Sequence, residues 1–153
     1  MRSFELKIPP PAVTVITALL MWLCAWVESG FTYTFSASRH FAVFFALLGL
    51  CSAVLGVVSF LRAKTTVNPM KPASTSSLVT SGIYRLTRNP MYLGLLLILL
   101  GWCIFLSHIM AFLLLPGFVW YMYGFQIAPE ERALATLFGE AFSAYKASTR
   151  RWL

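Results

Sequence analysis

The sequence predicts an all-α polytopic membrane protein: four transmembrane helices, the last two a helical hairpin, followed by a C-terminal amphipathic interfacial helix. Composition is the first reason. Of the 153 residues, 59% are hydrophobic and 11% charged, more apolar surface than one soluble core of this size can bury. The second reason is the length of the uncharged runs. Residues 8–27 and 41–61 hold no charge, and neither does the 41-residue stretch 89–129. At about 1.5 Å per helical residue, each of the first two crosses a hydrocarbon layer of about 30 Å, while the third is about twice too long and must fold back. Strands are excluded by the same runs, because they are continuous rather than alternating and lipid admits sheets only as closed barrels.

The third reason is where the positive charge falls. Arg2 and Lys7 precede the first span; Arg62, Lys64, Lys71, Arg85 and Arg88 lie between the second and third; Arg132, Lys146, Arg150 and Arg151 follow the fourth. Only Arg39 of the 12 basic residues lies on the other side, so the positive-inside bias puts both termini in the cytoplasm. The net charge of +7 then reads as contact with an anionic leaflet rather than with nucleic acid. A bacterial inner membrane fits so short a chain, or the endoplasmic reticulum in a eukaryote.

In chain order, the first span is expected at about residues 9–27. Arg2 and Lys7 ahead of it imitate a secretory signal, but no small-residue cleavage site follows, and Trp22 and Leu23 suit a lipoprotein site at Cys24 poorly. The second span is expected at 41–61, with His40 in a solvated loop beside Arg39. The 62–89 connection is polar and rich in Pro and Ser, either a linker or a lid over a site at the membrane face. The hairpin arms are expected at 90–106 and 109–127, turning at Ser107 and His108.

The last helix is expected at 129–147. Leu134, Leu137, Phe138, Ala141, Phe142 and Tyr145 form its apolar stripe, laid along the headgroups, with Trp152 as an interface anchor. Cys24, Cys51 and Cys103 sit inside the spans without metal-ligand spacing and are expected to be small packing residues. The whole is read as one membrane domain, residues 1–153.

Chemistry concentrates at the cytoplasmic face, since His108 is the one ionisable group the spans offer that would suit a channel or transporter. The first cluster is Gly82-Ile-Tyr-Arg-Leu-Thr-Arg-Asn-Pro-Met-Tyr-Leu-Gly94, in which Asn89 reads as a helix cap and Pro90 as the first helical residue. A helix start with Arg85 and Arg88 beside it attracts anions, either a ligand or lipid phosphates. The second cluster is Glu130-Glu131, explained by helix-start preference or by a site. The hairpin returns both clusters to one rim, where cations and carboxylates together suit a zwitterionic ligand.

The ordered set Leu78-Val-Thr-Ser-Gly-Ile-Tyr84, Arg88-Asn-Pro-Met-Tyr-Leu-Gly94, Glu130-Glu131 and Leu137-Phe-Gly-Glu-Ala-Phe-Ser-Ala-Tyr145 resembles the isoprenylcysteine carboxyl methyltransferase and phospholipid methyltransferase superfamily. The resemblance covers the C-terminal half. It implies S-adenosylmethionine held by Leu78, Val79, Tyr84, Asn89, Pro90, Met91, Tyr92, Glu130 and Glu131, with Arg88 and Glu131 as candidate catalytic residues and Glu131 as proton acceptor. Two departures stand out. Asn89 replaces a common histidine and cannot carry a proton. Gln126 falls where carboxyl-methylating members carry an arginine, about one turn before the glutamates, and is the candidate substrate-binding residue.

The expected reaction is methyl transfer to a hydrophobic or membrane-embedded acceptor: an isoprenylcysteine carboxyl, a phospholipid amine or a similar small lipophile. Two alternatives are an NADPH-dependent sterol-type reductase, whose C-terminal pattern is similar, and a non-catalytic adaptor that binds anionic lipid.

Overall fold

A computed structural model describes residues 5–27, 29–33, 35–65 and 75–153. The order is α1 (Pro10–Val27), α2 (Ser38–Arg62), α3 (Pro90–Leu106), α4 (Ile109–Phe112), α5 (Leu114–Met122) and α6 (Ala128–Ser148), with short 3₁₀ turns at Ser29–Phe31 and Gly82–Arg85. Among the described residues there is no strand, only an isolated bridge between Thr32 and His108. Among the described residues, three helical runs are long and apolar enough to cross a membrane: Pro10–Val27, Ser38–Arg62 and Ile109–Ser148. The first hairpin arm, α3, is shorter at 17 residues.

The two prolines of the last run act differently on it. Pro116 has no N–H for the carbonyl of Phe112, and the helix breaks between α4 and α5 at Leu113. Pro129 likewise cannot serve the carbonyl of Phe125. Here the chain widens into a π turn over Tyr123–Ile127, and the N–H of Leu6 donates to Phe125 O at 3.0 Å instead. The C-terminal helix therefore begins at Ala128 as a continuation of the hairpin, not as a separate element started by Pro129. It bends at Gly139, whose φ of 49° and ψ of −118° suit only glycine.

The centre of the bundle is α3, packed most extensively on α2 and also touching α1, α4 and α5. Close approach makes that contact possible. A Cβ on Gly94 would lie 2.5 Å from Gly49 O, and one on Gly49 would lie 2.5 Å from Gly94 O, so neither helix tolerates a side chain there. Ser52 Oγ donates across the same interface to Pro90 O at 2.7 Å. Outward faces carry Val15, Leu19, Trp26, Phe44, Leu47 and Leu55, all exposed, as lipid-facing positions should.

Several expectations change. His40 lies in the first turn of α2 rather than in a loop, because the helix starts at Ser38. Ser107 does make the hairpin turn, in left-handed geometry at φ 50°, and His108 behind it is buried against Phe31. Cys103 is buried as expected, whereas Cys51 faces outward. The α6 stripe does not lie free along headgroups. Leu134, Phe138, Phe142 and Tyr145 pack on Leu78, Val79, Ile83, Tyr84 and Phe60, while Leu137 is exposed. Trp152 turns inward onto the main core. Much of the polar part of the long connection, residues 66–74, lies outside the described residues, so its linker or lid reading is not addressed.

Candidate functional site

The apolar cluster around Val79, Tyr84, Phe142 and Tyr145 forms the floor of the site. Phe60 at the end of α2 meets Tyr84 edge-on at 5.4 Å, and Tyr145 Oη donates to Tyr84 O at 2.7 Å. This docks the 78–85 segment between α2 and α6, with Val79 and Tyr84 buried and Leu78 half-buried. Burial first, then the neighbouring Tyr145 and Glu130, push the Tyr84 phenol far above its ordinary value, so it stays protonated.

Above this floor, the start of α3 meets the start of α6 in two contacts. Tyr92 Oη donates to Glu130 Oε1. One residue further on, Glu131 closes a three-membered ion cluster: Arg88 Nη2 donates to its Oε1 at 3.0 Å, and Arg151 donates from Nε to Oε1 at 3.0 Å and from Nη2 to Oε2 at 2.7 Å. The two glutamates, adjacent in sequence, thus enter opposite environments. Burial, opposed by the Tyr92 hydrogen bond and reinforced by the charge of Glu131, pushes the Glu130 carboxyl up to about 8. Burial would raise Glu131 too, but hydrogen bonds from Arg151 and Arg88 outweigh it and hold that carboxyl below its ordinary range.

Asn89 occupies the N-cap of α3 as expected, and its backbone O accepts from Leu93 N at 2.9 Å. Its side chain makes no cap bond; Asn89 Nδ2 donates instead to Arg151 O at 2.9 Å. Gln126 lies within the π turn, fully buried, its Nε2 donating to Ile8 O at 2.7 Å. Among the described residues its Oε1, which is buried, has no hydrogen-bond partner, and the same is true of Arg88 Nε. Of the sequence-predicted residues, then, Tyr92 with Glu130 and Arg88 with Glu131 are brought into direct contact. Leu78, Val79 and Tyr84 line the adjoining floor, and Pro90 and Met91 form the wall against Gly56 of α2.

Sequence reasoning missed Arg151, Thr87 and Tyr145 as members of this rim. Thr87 is almost wholly buried and donates to Arg151 O at 3.1 Å. The available signal was a threonine between two arginines ahead of Asn-Pro, together with an Arg-Arg-Trp sequence read only as a topology marker and anchor.

The carboxyl of Glu130 and the phenols of Tyr84 and Tyr92 are groups that suit a cationic ligand. The buried Arg88 Nε, without a partner among the described residues, is a donor left over for an anionic one.

A family model described as Phospholipid methyltransferase matches residues 37–141. An uncharacterized protein of Haemophilus influenzae is 46% identical over 63 residues, covering 41% of this chain and 100% of its own length. Protein-S-isoprenylcysteine O-methyltransferase of Schizosaccharomyces pombe is 27% identical over 114 residues, or 74% of this chain. The match spans 48% of the yeast protein, about half its length. No solved structure matches.

Proposed function

We propose, from the premise that this chain belongs to the phospholipid methyltransferase family, that it transfers a methyl group from S-adenosylmethionine to a hydrophobic acceptor held in the membrane. The observation that carries the reading is the convergence of Tyr92 with Glu130, and of Arg88 with Glu131, at one rim built from the family-matched segments. In this reading the chain crosses the membrane four times as a single domain, with both termini cytoplasmic, in a bacterial inner membrane or the endoplasmic reticulum. The cofactor side faces the cytoplasm and the acceptor arrives from the bilayer.

Leu78, Val79, Tyr84, Asn89, Pro90, Met91 and Tyr92 line the cofactor pocket. Tyr84 and Tyr92 offer aromatic faces to a cation, Glu130 offers a carboxyl, and Arg88 Nε offers an N–H to a carboxylate. When bound, S-adenosylmethionine supplies a methyl group already activated by its sulfonium charge, so the protein's task is alignment and exclusion of water. The acceptor's lone pair bonds to the methyl carbon as the carbon–sulfur bond breaks, and the electron pair stays on sulfur. An acceptor that carries a proton then releases it. Glu131, held ionised between its two arginines, is a poor base, and Glu130, raised to about 8, takes that proton only when it is itself ionised, toward and above that pH. Arg88 and Glu131 are assigned to holding the rim and orienting the donor.

Gln126 bears on the acceptor. A neutral amide whose buried oxygen has no partner among the described residues favours an acceptor that donates a hydrogen bond, such as an amine, thiol or hydroxyl, over one presenting a carboxylate. Incubating the purified chain with methyl-labelled S-adenosylmethionine and extracted lipids or lipophilic metabolites tests this. Label is expected in a protic lipophile; label confined to carboxyl esters would overturn the acceptor assignment, and no transfer to any acceptor would overturn the activity.

A further inference from the structure

We propose that Arg151 is a positioning residue of the methyl-donor site, holding Glu131 and the turn at residues 87–89 in the arrangement that keeps Tyr92 paired with Glu130. The inference rests on the cofactor reading above.

The segment 149–153 behaves as a strap across the rim. Arg150 O accepts from Arg88 N at 2.9 Å, and Arg151 O accepts from Thr87 Oγ1 at 3.1 Å and Asn89 Nδ2 at 2.9 Å, so three consecutive residues ahead of α3 are bonded to it. From the same residue, the Arg151 guanidinium reaches both oxygens of Glu131 and lies 4.8 Å from the centroid of the Tyr123 ring in the π turn. Arg88 answers from the other side: its Nη1 donates to the carbonyls of Lys146 and Thr149 at the far end of α6, while its Nη2 shares Glu131 Oε1 with Arg151 Nε. The strap therefore holds the approach to α3 through its backbone carbonyls, while the forked side chain of Arg151 ties it to the start of α6 and to the π turn.

None of these bonds belongs to the α2–α3 interface or the apolar core, where the bundle is held. Loss of the fork frees one oxygen of a largely buried carboxylate, whose side chain is 14% exposed, and leaves Glu131 held by Arg88 alone, so that it shifts and carries the adjacent Glu130 with it. Lysine keeps the charge but not the two-atom grip.

The test is equilibrium binding of S-adenosylhomocysteine to the full purified chain, combined with a double-mutant cycle. Arg151→Ala is expected to weaken binding about tenfold, as loss of a partly buried charge-assisted pair should, and Arg151→Lys to an intermediate extent. Because Arg151 acts through Glu131, Arg151→Ala is expected to add little in a Glu131→Gln background. A merely structural role would give the same loss in both backgrounds, and that additivity overturns the inference. If Arg151→Ala does not yield folded protein, Arg151→Lys carries the same cycle. Unchanged binding in the folded variant overturns this inference alone, whereas no binding by the unaltered chain overturns the cofactor reading and the inference with it.

Discussion

Glu130 and Glu131 are the same residue type one position apart, and what separates their chemistry is direction. On a helix, neighbours point about 100° apart, so Glu130 turns into the bundle toward Tyr92 while Glu131 turns along the rim between two arginines. Their pH behaviour is opposite in consequence. The folded-state value of Glu130 is raised from 4.5 to about 8, so between those values the folded chain keeps a proton that the unfolded chain has released, and stability falls as pH rises through that window. Glu131 is lowered, so its contribution is present above its unfolded value and is lost as the medium becomes acid enough to protonate it in the fold. Thermal unfolding of Glu130→Gln in detergent between pH 5 and 8 is expected to show a flatter decline than the unaltered chain; an unchanged slope would contradict the assignment. Tyr92→Phe removes the hydrogen-bond donor and is expected to weaken donor binding about fivefold, the value of one net hydrogen bond of about 1 kcal/mol. The two glutamates were legible as a pair in the sequence, but not their division of labour, which depends on Arg151, a residue 20 positions away.

Among elements, the helix bounds were the most legible feature, because unbroken apolar runs and Pro90 mark them physically. The expected arms at 90–106 and 109–127 correspond to α3 and to α4, α5 and the π turn. Less legible was the π turn itself. Pro129 signals a helix start when read locally, and only the Leu6 N–H that satisfies Phe125 O reveals that the helix passes through. The α6 stripe also reads equally well as a lipid-facing or a protein-facing surface, since both are apolar; its partner, the 78–84 segment, is distant in sequence. The α2–α3 contact gives a prediction at this scale. Gly94→Leu places a side chain 2.5 Å from backbone, which cannot rotate away, and overpacking of this kind costs about 1–3 kcal/mol or more. A drop in the thermal midpoint of several degrees is expected, and an unchanged midpoint would show that α2 and α3 do not approach so closely.

For the whole molecule, charge distribution and apolar length together argue that the hairpin folds the chain back so that residues 88–94 and 130–131 share a face. Single cysteines introduced in a cysteine-free background at Arg2 and Leu153 are expected to react with a membrane-impermeant thiol reagent only from the cytoplasmic side, and one at Ser36 only from the other. Termini labelled from opposite sides would contradict an even number of crossings. The membrane character and the family were legible from sequence because they rest on long runs and ordered motifs; the strap at 149–153 was not, because nothing in Arg-Arg-Trp distinguishes a lipid anchor from a clamp.

The central claim is that this rim holds a methyl donor, and equilibrium binding of S-adenosylhomocysteine to the purified, folded chain tests it most directly. Saturable binding that Glu130→Ala and Tyr92→Ala each abolish or weaken at least tenfold is the predicted result. No binding by folded protein, or thermal protection by NADPH in place of S-adenosylhomocysteine, would contradict it.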